Sequence, residues 1–270
     1  MAAYISTRTS TQAQTKVLAK TFFNKTKEIP PLYAKYFNVI TTDSKRSFAT
    51  WLPLAELGTM YFKPEGQAPT YDQPYELIPY TATFFTYALA VKATEEADME
   101  DPENFVGKIP GQLADSSRET KDLIFWNVFN TGFSGSVLGT DGQPLFSTAH
   151  PLGPIATPTG IVGTVGQNFS NYLGATSLTP ESLQQSYILF ETLLSDRGMP
   201  DRRTPRTLMV VPSMVKVAQE ILGSSHSPFT NVNKINPLQD TVEVVANRYL
   251  TNPNAWFVMG AKGDPFSGGD

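Results

Sequence analysis

The chain of 270 residues contains no cysteine and only two histidines, His150 and His226. The missing cysteines exclude disulfide bonds, thiolate metal sites and cysteine nucleophiles, and they fit a protein that folds in a reducing cytosol. Zinc would require both histidines and a carboxylate to converge on one point. We therefore predict neither a metal nor any other cofactor.

Charged residues are also scarce, at 17% of the chain against about 25% in a typical soluble protein. A chain with few surface charges often covers its surface with partner subunits. The net charge is -4, so a general nucleic-acid-binding protein is not expected. The small basic cluster of Arg202, Arg203 and Arg206 is expected to pair with acids rather than with phosphate groups.

Long apolar runs are missing too. No run reaches the roughly 18 residues that a membrane helix needs. Residues 1–10 lack the apolar core and the cleavage site of a signal peptide. We expect a protein that makes no membrane contact, is made in the cytosol and is not exported by a classical signal.

The residues that are present form several periodic patterns. These patterns predict helices at 10–25, 110–131, 180–197 and 212–223, and strands at 79–93, 207–211, 241–246 and 255–259. The strand at 79–93 depends on the alternation of Phe85, Tyr87, Leu89 and Val91. The last third of the chain is expected to form a compact α/β unit.

The helix at 110–131 has the strongest signal. Pro110 suits its first turn and Gly132 its end. One stripe recurs at helical spacing and consists of Leu113, Ser117, Thr120, Ile124 and Val128. The second half of this helix is apolar nearly all round, so we expect it to be covered on several sides.

Residues 45–78 are dense in proline, glycine and aromatic residues and show little periodicity. They predict a long, open hairpin loop, and loops of this length are usually functional or bound to a partner. Candidate inter-subunit contacts in this loop are Tyr61, Phe62, Lys63, Glu65, Tyr71 and Tyr75, because exposed aromatics at this density indicate an interface. The alternative is a mobile surface loop.

The stretch D-G-Q-P-L-F-S-T-A-H-P at 141–151 carries the residue types of a hydrolase. Asp141, Ser147 and His150 supply an acid, a hydroxyl and a base. However, no G-x-S-x-G elbow surrounds Ser147. We favour a turn at Asp141-Gly142 that is anchored by Leu145 and Phe146, with a soluble hydrolase as the alternative.

Two further motifs are weaker. An acidic run lacks the spacing of a calcium-binding loop and predicts a solvated turn; it consists of Glu95, Glu96, Asp98, Glu100, Asp101 and Glu103. Gly160, Gly163 and Gly166 match neither a dinucleotide fingerprint nor a phosphate loop, so they predict an ordinary connection.

A set of motifs in fixed order covers most of residues 20–260. It consists of G-T-M-Y-F-K-P-E-G, T-E-E-A-D-M-E-D-P, the helix at 110–131, D-G-Q-P-L-F-S-T-A-H-P, L-M-V-V-P-S-M-V-K-V-A-Q-E-I-L, N-V-N-K-I-N-P-L and Y-L-T-N-P-N-A-W-F-V. With these motifs the chain resembles the major capsid proteins of tailed bacteriophages, in particular the Mu-like major head subunits, which have the Hong Kong 97-type capsid fold.

The resemblance implies an α+β fold with four parts. They are an N-terminal arm at 1–44, an extended loop at 45–78, a peripheral domain at 79–174 that includes a spine helix at 110–131, and an axial domain at 175–270. The family also continues with C-terminal strands that return to the peripheral sheet, and these strands are expected to be missing from the sequence. In this family the 141–151 segment is a structural loop without a catalytic role.

The resemblance further implies a head protein that self-assembles, as hexamers and pentamers, into an icosahedral shell around a double-stranded DNA genome. The protein would be made in the bacterial cytoplasm and reside in the virion. Implied partners are a separate scaffolding protein, a portal, possible decoration proteins, and packaged DNA in weak, non-specific contact. Little N-terminal processing and no Lys63 crosslink are expected. The alternative within the same virus type is a tail or tube protein.

Overall fold

A computed structural model of the chain describes residues 7–42, 46–52, 54, 57–73, 76, 79–92, 100–101, 104–135, 137–151, 168–195, 199, 203–226 and 235–260, with the backbone alone for residues 7–15. The chain divides into two compact units. Unit 1 comprises 1–39 and 84–125, and unit 2 comprises 40–83 and 126–270.

Unit 1 is built from helices. They are α1 (Thr7–Glu28), α2 (Tyr33–Tyr36) and the first part of α3 (Phe105–Thr131). The helix predicted at 10–25 is confirmed as α1, which is three residues longer at each end.

A buried carboxylate fixes α2 against α3 within unit 1. Asp122 is almost fully buried, and its two oxygens accept the backbone N–H groups of Leu32 and Tyr33 at 3.0 and 3.1 Å. The ring of Phe125 stacks on Tyr33 with centroids 4.9 Å apart and also contacts Phe37. The prolines before Leu32 stop α1, and Asp122 holds the turn that follows.

The long helix α3 begins five residues before its predicted start. Pro110 lies inside it, where it removes the hydrogen bond to the carbonyl of Val106 and its ring crowds that carbonyl. Asp101 supports the earlier start because its carboxylate accepts the N–H of Val106 at 2.7 Å. Pro110 therefore correctly indicated a helix start nearby, but the helix begins at Phe105 and not at the proline.

The predicted apolar stripe of α3 was wrong. Ile124 and Val128 are 41% and 47% exposed, and the buried positions follow another face; they are Pro110, Gly111, Ala114, Asp122, Trp126 and Phe129. The buried face includes a carboxylate, so apolar periodicity alone pointed elsewhere. Among the described residues, the second half of α3 is not covered on several sides as expected, since Leu123, Ile124 and Val128 are exposed.

Unit 2 contains a hairpin formed by β1 (Phe48–Trp51) and β2 (Tyr80–Thr83), which pair antiparallel with Phe48 opposite Thr83. The strand predicted at 79–93 was therefore too long. After Thr83, residues 84–92 form no strand with any other described residue, and all of their side chains are exposed. Alternation predicted an extended backbone but could not supply a pairing partner.

The last third of the chain forms the predicted α/β core, also within unit 2. After two short antiparallel strands, β3 (His150–Pro151) and β4 (Asn168–Phe169), strand β5 (Pro205–Val210) lies between β6 (Glu243–Ala246), which is parallel to it, and β7 (Trp256–Gly260), which is antiparallel. Two helices, α4 (Pro180–Glu191) and α5 (Val215–Gly223), accompany the sheet. The buried cluster comprises Leu178, Leu183, Leu208, Val210, Ala218, Ile221, Leu222, Leu238 and Val242.

The ends of these helices follow their sequence signals in part. Thr179 and Ser182 form a capping box at the start of α4, with Pro180 in its first turn, so the helix begins at the predicted residue 180. The helix ends at Glu191, before the predicted 197, and the N–H and hydroxyl of Thr192 at its end both bond to the carbonyl of Ile188. A 3₁₀ turn at Pro212–Met214 precedes helix α5, and the helix ends at Gly223 as predicted.

Several sequence predictions lie outside the described residues. They concern Tyr75, Gly198, Arg202, the glycines at 160, 163 and 166, and most of the acidic run. Among the helices that the structure does describe, none combines the length and apolar character of a membrane span.

Candidate inter-subunit surface and the Asp141–His150 cluster

The loop between β1 and β2 starts from a well-defined base. Thr50 and Thr81 lie opposite each other and share a hydrogen bond of 3.0 Å, and Trp51 stacks on Tyr80. A further bridge joins Leu54 to Glu76. The predicted hairpin is confirmed at this base. The residues between β1 and β2 therefore form the loop that this base closes.

Two contacts shape the distal part of this loop. Asp72 reaches across it, and its carboxylate accepts the N–H of Gly58 at 2.7 Å. At the tip, the N–H of Gln67 bonds to the carbonyl of Pro64 at 3.3 Å. Gly66 has a φ of 82° in that turn, a conformation that glycine adopts without steric cost. The tip is therefore a turn specified by its residues.

The structure places the predicted contact residues at the surface. Phe62 is 91% exposed and Tyr71 is 87% exposed, while Tyr61 is about half exposed. Lys63 and Glu65 are also exposed, and no ion pair joins these two described side chains. The sequence missed Met60, which is fully exposed beside them. Loop residues 60–62 and Tyr71, which we call the loop patch, thus offer apolar surface that the chain itself does not cover.

The candidate hydrolase residues form a different arrangement from a catalytic triad. His150 Nδ1 donates to Asp141 Oδ2 at 2.6 Å. Ser147 Oγ instead donates to Gln143 Oε1 at 3.2 Å and accepts the N–H of Ala149. A serine nucleophile needs its base within hydrogen-bonding reach, and here Ser147 is bonded elsewhere.

The imidazole of His150 is also enclosed. The side chain is buried, it stacks on Phe169 with centroids 5.0 Å apart, and its Nε2 has no hydrogen-bond partner among the described residues. Burial raises the pKa of the Asp141 carboxyl, but hydrogen bonds from His150 and from the N–H of Gln143 outweigh this effect, so the pKa lies below its ordinary value of 3.8. The pair ties a loop together instead of facing a substrate cleft.

The 141–151 segment is organised as the favoured turn. Gly142 has a φ of 74°, and Gly139 donates its N–H to the carbonyl of Gln143 at 2.7 Å. Phe146 anchors the segment, because its N–H bonds to the carbonyl of Gly132 and its ring contacts Phe129, Phe133 and Phe257. The predicted anchoring role of Leu145 was wrong, since that side chain is 42% exposed.

Asn171 completes this loop network, and no sequence pattern predicted its role. Its side chain accepts the N–H of Ser147 and donates to the carbonyl of Leu145, at 2.9 and 2.8 Å. Among the described residues, no group of three or more histidine and acidic side chains is placed to hold a metal ion.

A comparison with protein families decides the identity of the chain. The sequence profile of the family described as phage capsid protein matches residues 79–269, which is most of the chain. The chain belongs to the phage capsid protein family. The predicted identity as a phage capsid protein, with a structural role in the virion capsid, is confirmed.

Solved structures show that this capsid protein has a phage capsid fold that mixes helices and sheets. The bacteriophage JBD30 capsid matches with a TM-score of 0.63 and 16% identity, over 83% of this chain and 92% of the other. The JBD30 procapsid gives 0.59 and 17% identity, over 88% and 99%. The JBD30 capsid decorated with minor capsid protein trimers gives 0.58 and 16%, over 83% and 92%. No curated protein matches the capsid protein.

Proposed function

We propose that this capsid protein self-assembles, as hexamers and pentamers, into an icosahedral shell of the Hong Kong 97 type around double-stranded DNA. The observation that carries the proposal is the loop patch. Phe62 and Tyr71 project from a specified hairpin with almost all of their surface exposed. Exposed aromatics on an ordered element are typical of an interface, and a repeating shell supplies a neighbouring subunit at every position.

The four-part organisation belongs to the same proposal. Residues 1–44 act as an arm, 45–78 as the extended loop, 79–174 as the peripheral domain and 175–270 as the axial domain. The buried core around Leu208 supports an axial domain that holds its own structure. The exposed residues 84–92 support a peripheral sheet that needs further strands.

Further partners follow from the assembly. A matching structure is a procapsid and another carries minor capsid protein trimers, which supports assembly through an immature shell and room for a decoration protein. A separate scaffolding protein and a portal complete the proposed set. The protein is proposed to have no catalytic activity, and the bonding of Ser147 to Gln143 instead of His150 supports this.

Electron microscopy of the purified protein tests the proposal. Closed shells or capsomers are expected after assembly. Stacked rings would instead identify a tail or tube protein. A small, monodisperse particle with hydrolase activity that Ser147→Ala abolishes would overturn the structural assignment. Ser170→Ala is the matched control, because it removes a hydroxyl outside the Asp141–His150 pair.

A further inference from the structure

Positive charge is concentrated at the start of the chain. Residues 1–42 contain six basic residues and one acid, a net charge of +5, whereas the whole chain carries -4. The remaining residues, 43–270, therefore carry -9. The prediction of weak DNA contact rested on the net charge of the whole chain, which conceals this separation of charge.

The positive charge in α1 is arranged on one side of the helix. With 3.6 residues per turn, Lys16, Lys20 and Lys27 fall within an arc of about 40° and span about 17 Å along the axis. All three are exposed, and within the described part of the chain none makes an ion pair. We call these three residues the lysine face. Lys25 lies on the opposite side of α1 and pairs with Asp115 at 3.4 Å.

The lysine face does not serve the stability of the subunit. Lys16 and Lys20 are like charges at a spacing of four residues, which disfavours a helix. Lysine is also depleted in protein–protein interfaces, where aromatic and arginine side chains are enriched. Three aligned ammonium groups without acids instead suit a polyanion, since the phosphate backbone is bound by lysine and arginine with release of counterions.

We propose that the lysine face of α1 binds the phosphate backbone of the packaged genome without sequence preference. This rests on the proposed function, in which the shell encloses double-stranded DNA. Three phosphate contacts predict a slope of about -2.7 for the logarithm of affinity against the logarithm of salt concentration. A fourfold rise in salt should then weaken binding by about 40-fold. Affinity per subunit is low, and the many copies in a shell multiply it.

Duplex binding by the full-length subunit tests the proposal. The probe is a fluorescently labelled duplex of about 20 base pairs, followed by anisotropy at low and fourfold higher salt, where the slope predicted above applies. The test variant combines Lys16→Gln, Lys20→Gln and Lys27→Gln. The matched control combines Lys92→Gln, Lys121→Gln and Lys216→Gln, which removes the same charge from exposed positions elsewhere. The test variant is expected to lose about tenfold or more in affinity and most of the salt slope, while the control keeps both.

Three outcomes would overturn the assignment. Equal losses in both triple variants would show that only net charge matters, and unchanged binding in the test variant would show that the lysines do not contact DNA. A test variant that fails to form empty shells in the absence of DNA, when the control forms them, would place the lysine face against an acidic neighbouring subunit. Binding that follows the lysines supports the assignment even if purified subunits form no shells, so the two proposals fail separately.

Discussion

In the sheet and helices of the last third, Leu208, Val210 and Ile221 are fully buried, whereas in the loop at 57–73 Phe62 and Tyr71 are almost fully exposed. Both parts belong to unit 2, and both are rich in apolar side chains. The last third contributes enough elements to cover its own apolar surface. In the loop, no described residue covers the rings of Phe62 and Tyr71. Burial within the chain therefore accounts for the first part, and burial between chains is proposed for the second.

The two parts also use polar contacts differently. In the core, the buried Asn236 amide donates to the carbonyls of Ile221 and Ser224, at 2.6 and 2.9 Å, and completes the end of α5. In the loop, Asp72 bonds to Gly58 in full contact with solvent. An exposed hydrogen bond competes with water and contributes little net stability. It sets the shape of the loop without holding the subunit together.

The largest effect is expected in the core. Ile221→Ala should lower the free energy of unfolding by about 2–5 kcal/mol, because the removed methyl groups leave a cavity among fully buried neighbours. Urea denaturation of the purified subunit measures the change. Ile188→Ala is the control, since Ile188 is half exposed on α4 and should cost no more than about 0.5 kcal/mol. Equal losses for the two variants would contradict a self-sufficient core.

The loop should show the opposite behaviour. Phe62→Ala should leave the subunit's free energy of unfolding within about 0.5 kcal/mol of the original. Each inter-subunit contact should weaken by about 1.5–3 kcal/mol, the value of burying one such ring, so particle yield in sedimentation should fall. Phe62→Tyr keeps the ring and should assemble. If Phe62→Ala unfolds early as a subunit, the loop belongs to the core; if particles form normally, the loop patch is only surface.

Local signals explain what the sequence predicted well. The start of α4 at Pro180 and the end of α5 at Gly223 depend on neighbours within four residues, and the structure has both. The Asp141-Gly142 turn is of the same kind. In the loop, the density of prolines and aromatics predicted exposure for Phe62 and Tyr71 without any knowledge of the fold.

Long-range contacts explain what the sequence could not predict. The buried face of α3 includes Asp122, whose partners lie about 90 residues earlier in the chain, so apolar periodicity selected the wrong stripe. The extent of β2 depends on β1, which pairs with only four residues of the strand predicted at 79–93. The network of Asn171 with Ser147 also joins distant segments. The lysine face is different, because its charges are evident in the sequence but the net charge of the whole chain conceals them.

Charges at the loop tip should have a smaller effect than its rings. Lys63→Glu or Glu65→Lys should weaken shell contacts by at most about 1 kcal/mol, since exposed ion pairs contribute little. The loss of particle yield should shrink as salt is raised, because exposed charges are screened beyond about 10 Å at 0.1 M salt. Lys63→Gln is the control that removes the charge without reversing it. A loss that does not respond to salt would show that the tip acts through shape and not through charge.

The smallest effect is expected at the Asp141–His150 pair, where a polar contact within the chain takes the place of apolar burial. The folded-state pKa of Asp141 lies below 3.8, so its carboxylate contributes stability that is present above pH 3.8 and is lost as the pH falls through the lower, folded value. Asp141→Asn removes this contribution, and the unfolding free energy of the variant should therefore fall less steeply than that of the original protein as the pH is lowered below 3.8. Urea denaturation across that range measures the two slopes, with Glu65→Gln as the control from the exposed loop tip. Identical slopes for Asp141→Asn and the original protein would mean that the 2.6 Å contact with His150 does not stabilise the ionised carboxylate in solution.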